Sequence, residues 1–62
     1  MLVRSTWKSI WTGRKARITM GQRLMYRVEM LNNEGEWVLH DEYVHLYNAE
    51  TWLREMGYAK EF

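Results

Sequence analysis

The combination of short length and a complete lack of cysteine constrains this chain more than any other feature. At 62 residues the chain has room for one hydrophobic core, so we expect a single domain spanning residues 1–62. A domain of this size buries only about 60% of the surface that its unfolded chain exposes, and disulfides often compensate. Because this chain has no cysteine, its four Trp, four Tyr and one Phe must supply the bulk of the core.

The composition separates this chain from disordered and membrane-spanning proteins. Hydrophobic residues make up 47% of it and charged residues 27%, which is typical of a globular domain. No segment approaches the roughly 18 consecutive apolar residues of a membrane-spanning helix, so we expect no membrane association. The lack of cysteine also suits a reducing compartment, and we therefore expect a cytoplasmic location.

The clearest local pattern is a short helix near the C-terminus. Asn48 has the side chain of a typical N-cap, residues 49–56 contain an apolar face, and Gly57 fits the left-handed position that follows many helices. Leu53 and Tyr58 occupy the two positions whose hydrophobic contact accompanies a helix end of this kind. The pattern predicts a capped helix that packs its apolar face on the rest of the domain.

Upstream of the helix, two segments have the alternation of β-strands. In residues 22–31 every second side chain is apolar, which predicts a strand with one buried face. Turn-forming residues at 32–35 and a second strand that begins at 36–40 complete a predicted hairpin. We expect a bulge or break near Asp41 and Glu42, because otherwise the apolar residues on either side of this point would face opposite ways.

The N-terminal segment is ambiguous between helix and strand. The apolar residues at positions 3, 7, 10 and 11 fit helical spacing, whereas the Ser, Thr, Trp and Ile residues favour a strand. We favour a hairpin in which residues 9–12 pair with residues 16–19 around Gly13. The resulting prediction is an α+β fold, a small antiparallel sheet of three or four strands with one C-terminal helix packed on one face.

One segment, residues 40–45, contains residue types that bind metals or transfer protons. Its sequence is His-Asp-Glu-Tyr-Val-His, but successive side chains of a strand point to opposite faces, so neither face collects three good ligands. The chain also lacks a nucleophile-elbow motif and a glycine-rich phosphate loop. These patterns predict no metal, no cofactor and no catalysis, so we expect a non-enzymatic binding module.

Charge divides the chain into a basic half and an acidic half. Residues 1–31 contain seven basic residues against one acidic residue, a formal charge of +6, whereas residues 32–62 contain two against seven, or −5. The first functional hypothesis is therefore a nucleic-acid-binding module that places a basic sheet face against phosphates. The predicted contact residues are Arg14, Lys15, Arg17, Arg23 and Arg27. The competing interpretation is a solvated sheet face whose arginines pair with the chain's own acids across strands.

The acidic half supports an alternative hypothesis, in which the chain is a phage-type or mobile-element-type inhibitor that binds a basic host protein. Charge complementarity of this kind speeds and orients association. The predicted contact residues are Glu34, Glu36, Trp37, Asp41 and Glu42. Exposed aromatic side chains would favour this alternative, because Trp, Tyr and Arg dominate protein interfaces. The nine aromatic residues of so small a chain also leave a homodimer open.

Overall fold

The fold is a five-stranded antiparallel sheet with one helix across a face. The computed structural model describes residues 2–21 and 23–62. Its elements are β1 (Leu2–Ser9), β2 (Lys15–Met20), β3 (Tyr26–Leu31), β4 (Trp37–Tyr43), α1 (Leu46–Glu55) and β5 (Tyr58–Lys60). The strands are ordered β4-β3-β2-β1-β5, so β4 and β5 form the two edges of the sheet. Strands β1 to β4 follow one another as neighbours, and α1 then carries the chain across the sheet to the far side of β1.

The predicted α+β class and the helix on one face are confirmed, but the sheet has five strands rather than three or four. The extra strand, β5, follows the helix and pairs with β1 through only three residues. A segment this short contains too few residues to show the alternation that identifies a strand in the sequence. The helix is therefore close to the C-terminus without being the last element.

The N-terminal segment is a strand, as we favoured, although its hairpin is displaced from the predicted one. β1 ends at Ser9, and residues 10–14 form the connection to β2, with Gly13 at a φ of +75°. The Ser9 hydroxyl accepts hydrogen bonds from the backbone N–H groups of Trp11 (3.2 Å) and Thr12 (3.1 Å). Such local bonds compete with strand pairing, which explains why residues 10–12 of the predicted strand form a turn instead.

The predicted strand over residues 22–31 begins only at Tyr26. Leu24 has a φ of +59°, a left-handed conformation that cannot continue an extended strand, and its side chain is exposed. Gln22 lies outside the described residues. From Tyr26 onward the predicted alternation holds, because Val28 is buried in the core while Tyr26 and Met30 pack against it from the same side of the sheet.

The core lies between the sheet and one face of α1. Its fully buried hydrophobic residues are Trp7, Ala16, Ile18, Val28, Ala49 and Leu53. Trp7 is the largest of these, and its indole N–H donates a 2.7 Å hydrogen bond to the hydroxyl of Ser5, which is also buried. The indole ring is therefore buried without leaving its polar N–H unsatisfied.

The N-cap prediction is wrong, whereas the C-terminal glycine prediction is confirmed. The helix begins at Leu46 with His45 as N-cap, and the side chain of His45 makes no capping hydrogen bond. The earlier start places Leu46 against the core, and this burial outweighs the capping preference of Asn48, which lies inside the first turn. At the other end, Gly57 has a φ of +85° and its N–H donates to the carbonyl of Arg54 at 3.1 Å.

A β-bulge in β4 lies within one residue of the predicted position. Val28 of β3 pairs with Asp41 and Glu29 pairs with Leu39, so His40 is the extra residue. The bulge returns the register to a pattern in which Glu42 lies opposite Arg27.

The bulge also separates the polar residues of β4. The His40 ring lies 4.5 Å from the Trp52 ring of α1, centroid to centroid, so it faces the helix side. Trp37 and Leu39 share the opposite face, away from the core, and Val44 lies beyond the strand and is exposed. The expectation that the bulge would turn the apolar residues on both sides of it inward is therefore wrong, since among these residues only Leu46 packs against the core.

Candidate functional site

The helix covers one face of the sheet, and no other element that the structure describes covers the second face, here called the helix-free face. Cross-strand pairs place neighbouring side chains on the same face. Thr6 of β1 pairs with Arg17 of β2, Arg17 pairs with Glu29 of β3, and Glu29 pairs with Leu39 of β4. Arg27 and Glu42 form the next pair on this face. A charged cluster therefore lies at the centre of the helix-free face.

Glu29 is the centre of that cluster. Its side chain is only 7% exposed, and its carboxylate accepts a 2.7 Å hydrogen bond from Nε of Arg17 and lies 3.4 Å from Nε of Arg27. Arg27 also reaches Glu42, with 3.7 Å between Nη1 and Oε2. A carboxylate this well buried is tolerated only while its cationic partners stay in place. Arg17 and Arg27 are therefore structural partners of an internal acid.

Arg17 has a second neighbour that fixes its position. Its guanidinium lies 4.2 Å from the ring centroid of Trp37, a distance typical of a cation–π contact. Trp37 is half-buried at the start of β4, so the contact links the central cluster to the edge of the sheet.

The five residues predicted to contact nucleic acid do not form one patch. Arg14 lies in the β1–β2 connection and Arg23 in the β2–β3 connection, at opposite ends of β2. Lys15 lies on the helix-free face, with its Nζ 3.9 Å from a carboxylate oxygen of Glu61. Arg17 and Arg27 hold Glu29 between them. The structure thus matches the competing interpretation for the two central arginines, which pair with the chain's own acids.

Two open depressions border these side chains. The larger, about 440 Å³, lies between the β2–β3 connection and β4, where it brings the predicted residues Arg23 and Arg27 to one lining beside Glu29 and Glu42, the partners of Arg27. The smaller, about 360 Å³, lies between the two hairpin turns and is bordered by Arg14 and Lys15.

The acidic residues of the alternative hypothesis follow one stretch of chain, in which Asp41 and Glu42 point to opposite faces of β4. Glu34 and Glu36 belong to the turn that precedes β4, and the other three residues belong to β4 itself. The turn is held by Asn32, whose side-chain oxygen accepts hydrogen bonds from the N–H groups of Glu34 and Glu36, both at 2.9 Å. Gly35 has the positive φ, +83°, that this tight turn requires. These acidic residues are thus carried on an ordered turn and on β4.

Exposed apolar side chains accompany these acids. Val38 is 50% exposed and Leu39 is 42% exposed, and they point to opposite faces of β4. Elsewhere on the surface Trp11, Tyr47 and Phe62 are also exposed. The sequence pattern placed Trp37 and Leu39 on one face of a strand but contained no signal that this strand forms an edge. Val38 and Leu39 were therefore missed as site residues.

Tyr43, at the end of β4, has the one side chain in the described part of the chain whose pKa is clearly shifted. Burial of the phenol raises its pKa above the ordinary value of 10.0, and the nearby Asp41 carboxylate, which accepts a hydrogen bond from it, raises it further. The phenol is therefore protonated at neutral pH. Among residues 2–21 and 23–62 no three His, Asp or Glu side chains form a group that could hold a metal ion.

Comparisons with known proteins add no functional information. No protein-family model, no curated protein and no solved structure matches this chain. Within the part of the chain that the structure describes, α1 is neither long enough nor apolar enough to cross a membrane.

Proposed function

We propose that this chain is a non-enzymatic binding module that recognises a basic surface of another protein. The observation that carries the proposal is the composition of one continuous surface, the β4 edge, defined here as residues 34–42. It combines four acidic residues, of which Glu42 is paired with Arg27 of β3, with the exposed side chains of Val38 and Leu39, and residues 34–42 themselves contain no Lys or Arg. Among residues 2–21 and 23–62, β4 pairs only with β3, so no other described strand covers its outer side.

These features match the physical requirements of a protein interface. Apolar side chains at the centre of a contact supply burial, while charges around them set the orientation and the rate of encounter. Trp37 and Arg17, which stack at the inner border of the β4 edge, belong to the residue types that dominate binding energy in such contacts. Blocking a basic surface of the partner is the mode of action that suits an inhibitor.

The charge distribution supports a protein partner over nucleic acid. Arg17 and Arg27 already hold the buried carboxylate of Glu29 through their Nε atoms, and drawing either guanidinium away from it toward a phosphate would be costly. Arg14, Lys15 and Arg23 remain, and they are divided between the two ends of the sheet. We therefore expect weak nucleic-acid binding at low salt, with the shallow salt dependence of one or two phosphate contacts.

A capture experiment with a matched control tests the proposal. Wild type, Glu36→Lys and Glu55→Lys would each be immobilised and exposed to a nuclease-treated extract of the native host. Both substitutions reverse one charge at an exposed position, but Glu55 lies at the end of α1, away from the β4 edge. We expect a protein that wild type and Glu55→Lys retain, and that Glu36→Lys releases at lower salt.

A different pattern in the capture experiment would contradict the proposal. Equal retention by all three chains would exclude the β4 edge as the binding surface. Loss of every captured protein on nuclease treatment, together with tight binding of short DNA or RNA duplexes at low salt, would restore the nucleic-acid hypothesis.

A further inference from the structure

The two edges of the sheet differ in how well they are protected against pairing with another strand. An edge strand presents a row of backbone N–H and C=O groups that a further strand can bond, and proteins usually block it with short strands, lysines, prolines or bulges. β5 has three residues and includes Lys60. β4 has seven residues and contains neither Lys nor Pro.

The protection that β4 does possess is local. Its bulge at His40 interrupts the register with β3, and the Asp41 carboxylate accepts a 2.8 Å hydrogen bond from the N–H of Glu42. Both features lie in the second half of the strand, whereas Trp37, Val38 and Leu39 precede the bulge with regular pairing to β3. The first half of β4 is therefore the part best suited to accept a new strand.

Resting on the proposed function, we infer that the partner supplies an extended segment, rich in Lys or Arg, which adds to the sheet as a sixth strand alongside β4. Recognition by strand addition takes its affinity from backbone hydrogen bonds and its specificity from alternate side chains. The acids of the β4 edge select a basic segment, and Val38 and Leu39 provide apolar contacts on the two faces of the added strand.

Charge also decides against a second copy of this chain as the occupant. Two β4 edges paired with each other would bring two sets of four acidic residues together, with no Lys or Arg in either set. Like charges on adjacent strands destabilise their pairing. A basic segment of a different protein instead places its cations beside Glu36, Asp41 or Glu42.

A peptide titration followed by nuclear magnetic resonance tests this inference. The probe is a blocked seven-residue peptide in which valine alternates with lysine, and the control probe replaces every lysine with glutamate. We expect the basic peptide to shift amide signals of residues 36–43 and to slow their hydrogen exchange, while the acidic peptide does neither. Glu36→Lys should lower the affinity for the basic peptide by about threefold or more, and Glu55→Lys should leave that affinity unchanged.

Several outcomes would overturn the inference of strand addition, and each can be distinguished from a failure of the proposed function. Shifts confined to β5 and β1, equal binding of both peptides, or no binding at millimolar peptide would exclude strand addition at β4. A wild-type dimer that protects the β4 amides without peptide would identify a second copy as the occupant. If peptide binding fails while protein capture still depends on Glu36, the proposed function stands and strand addition does not.

Discussion

Replacement of Arg17 with Met tests whether the central arginines belong to the fold or to a binding surface. The substitution keeps most of the side-chain volume but removes the 2.7 Å charged hydrogen bond to Glu29 and the stacking on Trp37. Breaking a fully buried ion pair costs about 3–5 kcal/mol, and a cation–π contact contributes about 0.5–1 kcal/mol. Arg17 is 17% exposed and Arg27 remains beside Glu29, so we expect a loss of about 2–3 kcal/mol.

Urea denaturation followed by tryptophan fluorescence measures this loss. For a domain of this size, about 2–3 kcal/mol corresponds to a fall in the melting temperature of roughly 10–20 °C. Arg23→Met is the matched control, because Arg23 is exposed in the β2–β3 connection, and its cost should stay within about 0.5 kcal/mol. The double substitution Arg17→Met with Glu29→Gln removes both charges. Its loss of stability should be at least about 1 kcal/mol smaller than the sum of the losses of the two single substitutions.

The reasoning about Glu29 would be refuted by a small and additive effect. If Arg17→Met cost no more than Arg23→Met, the Glu29 carboxylate would not depend on Arg17. Arg17 would then be available to an external anion, and the nucleic-acid hypothesis would regain its central residue.

Three further predictions concern the helix ends and the end of β4. Gly57→Ala should destabilise the fold more than Gly35→Ala, by up to about 1 kcal/mol, because both glycines have positive φ but only at Gly57 would the added methyl group lie 3.0 Å from the Trp11 ring, which would have to move. Equal losses in thermal melts would exclude the steric contribution. Asn48→Ala should change stability by less than about 0.5 kcal/mol, since Asn48 is not the N-cap, and a loss near 1 kcal/mol would reinstate it. The raised pKa of Tyr43 means that the folded state holds the phenolic proton more tightly than the unfolded state does. The protonated phenol therefore stabilises the fold below pH 10, and this stabilisation is lost as the pH rises through the folded-state pKa. Tyr43→Phe should therefore flatten the alkaline fall in melting temperature, and an unchanged profile would argue against the shift.

The elements of the fold that depend on local pattern could be predicted from the sequence. Alternation from Tyr26 to Met30, the glycine at the end of the helix and the need for a bulge in β4 are properties of neighbouring residues. The errors arose where a local rule met a competing interaction. Ser9 bonds its own turn and shortens β1, and burial of Leu46 starts the helix three residues before the predicted first helical residue, Ala49.

The candidate site depended on information that the sequence does not contain. Counting charges by halves of the chain treated the basic residues as one group. Antiparallel pairing instead brings Glu29 beside Arg17, which is twelve residues away. Arg27, the second partner of Glu29, lies two residues before it on the same face of β3. The order of strands in the sheet, which makes β4 an edge, likewise follows from the path of α1 and the position of β5.

Hydrogen–deuterium exchange of this chain, alone and in complex with the captured partner, tests most directly whether the β4 edge is the binding surface. We expect slower exchange in residues 34–43 on binding, with little change in the connections that carry Arg14 and Arg23. Protection of those two connections, with residues 34–43 exchanging as they do in the free chain, would contradict the assignment of the β4 edge.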